Sequence, residues 1–112
     1  MSTQQSTVDY ILDQLTAIEA VSARKMFGEY ALYAGGKVVA LVCDDTLFVK
    51  ITAEGKAFVG THYEEGEAYP GAKPSMRIDE DLIDDREWLA GLIRITAQHV
   101  PEPKSKKKKA KR

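Results

Sequence analysis

Apolar residues near the start of the chain recur at the spacing of a helix. Five of them fall at intervals of one, three or four positions: Val8, Ile11, Leu12, Leu15 and Ile18. Residues three or four positions apart share a helix face, so the pattern predicts a helix over about 7–19. Ser6 or Thr7 can cap it by accepting a hydrogen bond from a first-turn amide, and Gln14 is expected to point outward.

The apolar period changes from helical to alternating in the segment 23–51. Gly35 and Gly36 permit the positive φ of a tight hairpin turn, and Asp44-Asp45 supplies the next turn. The run 38–43 between these turns is apolar at every position, which predicts a central strand covered on both faces. The segment therefore predicts a meander of three or four antiparallel strands.

The second half of the chain contains a loop and a final helix. Three acids, two glycines and two prolines in 64–74 predict an exposed loop, and 75–78 is expected to return to the sheet as an edge strand. Asp84 or Asp85 opens the last helix, and Asp84 has the capping-box spacing to Glu87.

Together these elements predict an α+β fold in two layers. An antiparallel sheet of about five strands, made of the 23–51 meander and the late edge strand, packs against an N-terminal and a C-terminal helix. The length of 112 residues fits one core, so we expect one domain over 1–103. A domain this short gains stability from dimerisation, and a homodimer is compatible with it.

Charge divides the chain in a way that the net value of -1 conceals. The last nine residues carry seven bases and no acid: Lys104, Lys106, Lys107, Lys108, Lys109, Lys111 and Arg112. Removing them from the 16 basic residues leaves nine against 17 acidic ones, a net charge of -8 for 1–103. We expect 104–112 to be a disordered tail that binds nucleic acid without sequence preference, the alternative being a solubilising extension.

Hydropathy predicts a cytoplasmic protein that does not enter a membrane. The longest apolar run, 38–43, is far shorter than the roughly 20 residues that span a bilayer, and residues 1–7 are polar. Cys43 has no second cysteine to pair with and lies in the same apolar run, which predicts a buried structural thiol.

The pattern offers no arrangement for catalysis. His62 and His99 lie far apart, with no Cys or His at zinc-ligand spacing. The acids of 79–85 lack the glycine and alternating ligands of a calcium loop, and they fit a solvated approach to a helix better. We expect no metal, no cofactor and no enzymatic activity.

A mixed cationic and aromatic segment lies ahead of the first hairpin. Arg24, Lys25, Phe27 and Tyr30 combine two cations with two rings, as some single-strand nucleic-acid platforms do. On a strand the aromatic side chains can instead be core and the cations its rim. We take these four residues as candidate partner contacts.

The order of residues in 23–50 resembles the amino-terminal domain of the TfoX/Sxy proteins. The resemblance depends on the Met-Phe-Gly step at 26–28 and the Asp-Asp turn at 44–45 before a Leu-x-Val-Lys strand at 47–50. It extends from about Val8 to Gln98. It implies a sheet packed with helices and a role in regulating natural competence genes, in which full-length members act as coactivators beside the cyclic-AMP receptor protein.

The residues and the resemblance together predict a non-enzymatic regulatory module. Its partner is expected in the transcription machinery, and the basic tail is expected to add nonspecific nucleic-acid affinity. The alternative is a domain that binds a small molecule or a peptide on its exposed sheet face and does not need the tail.

Overall fold

A computed structural model describes residues 3–18, 20–26 and 29–100. The helices are α1 (Gln5–Gln14), α2 (Ala53–Val59), α3 (Glu80–Ile83) and α4 (Arg86–His99), and a 3-10 turn at Gly60–His62 follows α2. The strands are β1 (Val21–Met26), β2 (Glu29–Ala34), β3 (Lys37–Cys43), β4 (Thr46–Val49), β5 (Glu65–Gly66) and β6 (Ser75–Ile78).

All strand pairs in the sheet are antiparallel, and the spatial order is β1-β2-β3-β4-β6-β5. The predicted α+β class is confirmed, with helices near both ends of the described chain and β3 in the interior of the sheet. The described sheet has six strands where about five were expected.

The predicted strand at 75–78 is confirmed as β6, but its predicted position at the edge of the sheet is wrong. β6 lies between β4 and β5, because Glu65 pairs with Met76 and Gly66 with Ser75. These two residues of β5 fall inside the segment expected to be a loop. A strand of two residues has no apolar period, so only its pairing with β6 defines it.

Both predicted hairpin turns are confirmed, and their backbone geometry explains the residues found there. Gly35 and Gly36 have φ of 60° and 84°, and Asp44 and Asp45 have φ of 52° and 60°. Two successive residues at positive φ form the primed turn whose twist matches that of antiparallel strands. Asp tolerates this region better than most residues with a side chain.

The hydrophobic core lies between the helices and one face of the sheet. Its fully buried members come from both layers: Val8, Ile11, Leu15, Leu32, Val39, Val42, Leu47, Val49, Met76, Leu89, Leu92 and Ile93. Thr52 caps α2 by accepting a hydrogen bond from the Gly55 amide at 2.9 Å, and Gly60 ends it at a φ of 59°.

The ends of two helices differ from the predictions. α1 covers Gln5–Gln14, shorter than 7–19, and Thr7 does not cap it but donates to Asp45 Oδ1 at 2.9 Å. Asp85 caps α4 by accepting from the Trp88 amide at 3.1 Å. The capping box from Asp84 is wrong, because Asp84 ends α3, a helix the apolar pattern did not predict.

The predicted tail, 104–112, lies outside the described residues, as does the end of the predicted domain. Within the described part of the chain, no helix combines the length and the apolarity needed to cross a membrane.

Candidate partner-binding surface

The strand register assigns side chains to the two faces of the sheet. Tyr30, Val42, Leu47 and Ile78 are paired in turn across four strands and are all buried. The Tyr30 hydroxyl donates to Oε1 of Gln5 in α1 at 2.9 Å, so this row faces the helices. Paired residues on neighbouring strands share a face, and the adjacent rows point the other way.

One row on the opposite face, the open face, has a cation at each end and apolar residues between them. It consists of Arg24, Ala31, Leu41, Phe48 and Arg77, paired in turn across β1, β2, β3, β4 and β6. Arg77 forms ion pairs with Glu64 and Asp79, and its Nη1 lies 3.4 Å from a carboxylate oxygen of each. Arg24 at the other end lies over the ring of Tyr33, 5.6 Å from its centroid.

Gly66 in β5 lies against the Phe48 ring on the open face. A Cβ on Gly66 would lie 3.3 Å from Cε2 of Phe48, so a side chain at this position would crowd the ring. Phe48 and Cys43 are buried, yet neither belongs to the core cluster on the helix side. The open face therefore has its own small apolar layer.

An apolar cavity of about 500 Å³ opens beside this layer, at the end of β1. Its lining comes from three strands and the segment after β5: Met26, Glu29, Tyr30, Leu41, Cys43 and Tyr69. Met26 and Tyr69 are 40% and 56% exposed, whereas Cys43 is buried. Large exposed apolar side chains around a concave site can bury surface when a partner binds.

The acidic residue in the cavity wall is tied to the turn that follows β3. Glu29 Oε1 accepts hydrogen bonds from the Asp44 amide at 3.0 Å and from the Thr3 hydroxyl at 2.5 Å. Thr3 Oγ1 also accepts from the Asp45 amide at 3.2 Å. These bonds fix one end of the cavity by joining residues 29, 44 and 45 to the start of the chain.

The thiol in the cavity is held in its neutral form. Burial raises the pKa of Cys43 above its ordinary value of 9.0, and the negative charges of Glu29 and Asp44 raise this pKa further. Only the thiolate is strongly nucleophilic, so this environment suppresses attack by the sulfur. The cavity is suited to holding an apolar group and not to activating a nucleophile.

The candidate partner contacts predicted from the sequence are only partly brought together. Arg24 and Lys25 are exposed on β1, next to the cavity wall formed by Met26. Tyr30 is only 7% exposed, and its hydroxyl is bonded to α1, so most of its ring belongs to the core. Phe27 lies outside the described residues.

Neither histidine lines the apolar cavity. His62 is exposed and stands edge-on to Trp88, with 6.3 Å between ring centroids, and His99 Nδ1 lies 3.5 Å from Glu54. Among residues 3–18, 20–26 and 29–100, no three His, Cys, Asp or Glu side chains are grouped as metal ligands. The seven basic tail residues predicted to bind nucleic acid are not among the described ones.

Sequence reasoning missed two features of the cavity. Tyr69 was assigned only to an exposed loop, and Leu41 and Cys43 only to a central strand. Successive side chains of a strand point to opposite faces, so the sequence places Arg24 and Met26 on one face of β1 and Lys25 on the other. This alternation was the available signal for the residues of the open face. No pattern in the sequence places Tyr69 near β3, because a loop without a period has no predictable direction.

Comparisons with known proteins identify a family and a sequence relative that together cover nearly the whole chain. The family model described as TfoX N-terminal domain matches residues 13–100. A protein of Spirochaeta aurantia, described as an uncharacterized 12.7 kDa protein in the trpE 5′ region, is 37% identical over 111 residues. That alignment covers 99% of this chain and 95% of the relative.

The family match extends over nearly all of the described sheet and helices, including the hairpins at 35–36 and 44–45 and every residue of the cavity lining. The resemblance inferred from the residues of 23–50 is thereby confirmed. The chain belongs to the TfoX N-terminal domain family.

Proposed function

We propose that this chain is a non-enzymatic regulatory module that binds a protein of the transcription machinery through the open face of its sheet. The observation that supports the proposal best is the apolar cavity of about 500 Å³, with Met26 and Tyr69 exposed at its wall and Arg24 on the neighbouring row. Such a site combines an apolar centre with a charged rim, as protein interfaces do.

The side chains around the cavity are of the kinds that contribute most at protein interfaces. Tyrosine and arginine dominate binding energy there, and methionine adapts its shape to a partner. Leu41 and Cys43 form a preformed wall, and only the exposed side chains need to be ordered on binding. A low ordering cost favours affinity for a given contact area.

The absence of catalysis in the proposal follows from the chemistry available at this site. A nucleophile needs a lowered pKa or a nearby base, whereas burial and two neighbouring carboxylates keep the Cys43 thiol protonated. Glu29 is occupied by hydrogen bonds from the Thr3 hydroxyl and the Asp44 amide. Binding is therefore the function that these groups favour.

The basic tail supplies the second part of the proposed function. Seven cations in 104–112 can each neutralise a phosphate, and each such contact adds about 0.9 to the slope of log affinity against log salt. The remaining chain carries -8 and repels polyanions, so nucleic-acid affinity should reside in the tail.

Binding to purified proteins tests the open face. The full chain, immobilised through its N-terminus, is exposed to bacterial RNA polymerase and to the cyclic-AMP receptor protein after nuclease treatment. We expect a complex with one of them that Tyr69→Ala weakens by at least about tenfold. Tyr10→Ala is the matched control, because Tyr10 is also an exposed tyrosine and lies on α1. No complex with either protein, or equal weakening by both variants, contradicts the proposal.

Deletion of 104–112 tests the tail separately. Retention on duplex DNA of random sequence should fall sharply in the shortened chain, and its salt dependence should flatten. The protein complex should survive the deletion after nuclease treatment. Unchanged DNA retention contradicts the role of the tail without affecting the protein-binding proposal.

The cavity also favours a second candidate function, the binding of an apolar small molecule. Ligand sites are commonly 300–1,000 Å³, and a volume of about 500 Å³ lies within this range. Native mass spectrometry of the chain purified from cell lysate should then show a bound mass. Leu41→Trp, which fills the cavity, should remove that mass, and its absence in both proteins contradicts this alternative.

A further inference from the structure

β1 forms one edge of the sheet and is paired on one side only. Its six residues pair with β2 in an unbroken register from Val21–Ala34 to Met26–Glu29. In the described part of the chain, no hydrogen bond outside that ladder uses a backbone group of Val21–Met26. The opposite edge, β5, has two residues and offers little to a further strand.

The ladder determines which backbone groups of β1 are free. The Gly35 amide donates to the Ala20 carbonyl at 3.2 Å, which makes these two residues a hydrogen-bonded pair. Hydrogen-bonded and non-hydrogen-bonded pairs alternate along an antiparallel ladder. Val21, Ala23 and Lys25 therefore direct their amides and carbonyls away from β2, toward the open edge.

The side chains of the same strand give this edge a positive charge. Arg24 and Lys25 are exposed, and neither takes part in an ion pair within residues 3–18, 20–26 and 29–100. They stand on a chain that carries -8 over 1–103. A cationic strand edge on an acidic domain is complementary to an acidic strand.

A second copy of the chain fits this edge poorly. A symmetric antiparallel pair of β1 strands would place four cations, Arg24 and Lys25 of both copies, along one ladder of about six residues. Like charges on adjacent strands oppose pairing, and cationic side chains are a common protection against edge-to-edge association.

We propose that β1 binds an extended acidic segment of a partner protein, which adds to the sheet as a seventh strand. Free backbone groups of Val21, Ala23 and Lys25 provide the hydrogen bonds, and Arg24 and Lys25 select acidic side chains. This inference rests on the proposed protein-binding function and names the chemistry of the segment recognised. The cavity next to Met26 remains available to another part of the same partner.

Amide hydrogen exchange of the full chain tests the pairing directly. The probe is a capped octapeptide, Glu-Glu-Val-Glu-Glu-Val-Glu-Glu, which as a strand presents Glu on both faces because Arg24 and Lys25 point to opposite faces of β1. The control peptide replaces each Glu by Lys. Adding the Glu peptide should slow exchange at Val21, Ala23 and Lys25 by at least about tenfold. The amides that face β2 should change little, because the ladder already protects them.

Two changes separate strand pairing from simple charge attraction. A Glu peptide N-methylated at alternate residues has no amide donors along one edge and should give no protection when that edge faces β1. In the chain, Ala23→Pro removes the N–H that Ala23 directs toward the open edge of β1. An edge strand tolerates proline at a position whose N–H is not used in the ladder. Arg24→Glu with Lys25→Glu should weaken Glu-peptide binding by about fivefold to tenfold and favour the Lys peptide.

Three results would overturn the inference: no protection at β1 with the Glu peptide, equal protection with the Lys peptide, or chemical-shift changes confined to Leu41, Cys43 and Tyr69. The third result places the peptide in the cavity and leaves the proposed function intact. Self-association of the chain through β1, seen as a concentration-dependent mass, would also overturn it. Conversely, loss of the RNA polymerase or receptor-protein complex in Tyr69→Ala bears only on the proposed function.

Discussion

The side-chain amide of Gln14 donates to the carbonyl oxygen of Ile83 at 2.8 Å, which joins the last residue of α1 to the last residue of α3. Arg86, the first residue of α4, donates to Oε1 of Gln14 at 3.3 Å. Gln14 is only 6% exposed. One buried amide therefore connects α1 to two helices that lie about 70 residues later in the sequence.

Gln14→Ala should lower the free energy of unfolding by about 1–3 kcal/mol, because it leaves the buried carbonyl of Ile83 without a donor. The measurement is equilibrium urea unfolding followed by circular dichroism. Gln98→Ala is the matched control, since Gln98 is exposed on α4 and should change stability by less than about 0.5 kcal/mol. Equal effects of the two substitutions would contradict the assigned role of Gln14.

The cap of α4 provides a second stability prediction. Asp85→Ala should lower the free energy of unfolding by about 0.5–2 kcal/mol. The Asp85 carboxylate accepts a hydrogen bond from the Trp88 amide at 3.1 Å, and no other described side chain caps that helix start. Asp81→Ala, at an exposed position in α3, should cost less than about 0.5 kcal/mol. Thermal unfolding at neutral pH compares the two, and a larger loss for Asp81→Ala would refute the assignment.

Elements defined by adjacent residues could be predicted from the sequence. Gly35-Gly36 and Asp44-Asp45 occupy turns whose backbone geometry depends on those residues themselves. Thr52 caps α2 with a bond to an amide three residues away. Such features need no knowledge of the rest of the fold, which is why the two hairpin turns were anticipated.

Features defined by distant partners could not be predicted in this way. Gln14 was expected to face solvent, since helical periodicity treats a polar residue as exposed, yet its partners are 69 and 72 residues away. β5 exists only because Glu65 and Gly66 pair with β6. The position of Tyr69 beside Cys43, and hence the cavity, depends on the same unpredicted course of the chain.

Alkaline pH should destabilise the protein through two surface tyrosines. The hydrogen bond from Tyr10 to Asp84 raises the pKa of Tyr10 above 10.0, and the bond from Tyr63 to Glu65 raises the pKa of Tyr63 in the same direction. The folded chain therefore keeps protons that the unfolded chain releases near pH 10 and above. The contribution of the two tyrosines to the free energy of unfolding is complete below that pH and declines as the pH rises further.

The measurement is the urea midpoint at about pH 9 and about pH 11, compared between the wild type and the Tyr10→Phe, Tyr63→Phe double variant. The decline should be smaller in the variant, which has lost both titrating hydroxyls. Tyr69→Phe serves as the control, because the Tyr69 hydroxyl makes no hydrogen bond among the described residues. An undiminished decline in the double variant would show that other groups cause it.

Alkylation of Cys43 should report on the cavity. Burial, with Glu29 and Asp44 nearby, raises the pKa of this thiol above 9.0, so little thiolate exists near pH 8 and access to the sulfur is restricted. Iodoacetamide should therefore react much more slowly with the native chain than with the same chain in urea, as followed by mass spectrometry. Tyr69→Ala removes one wall of the cavity and should speed the native reaction, whereas Tyr10→Ala on α1 should leave it unchanged. If the native and unfolded chains react at the same rate, the burial of the thiol is contradicted. If the Tyr69→Ala and Tyr10→Ala variants react at the same rate, Tyr69 does not limit access to the Cys43 sulfur.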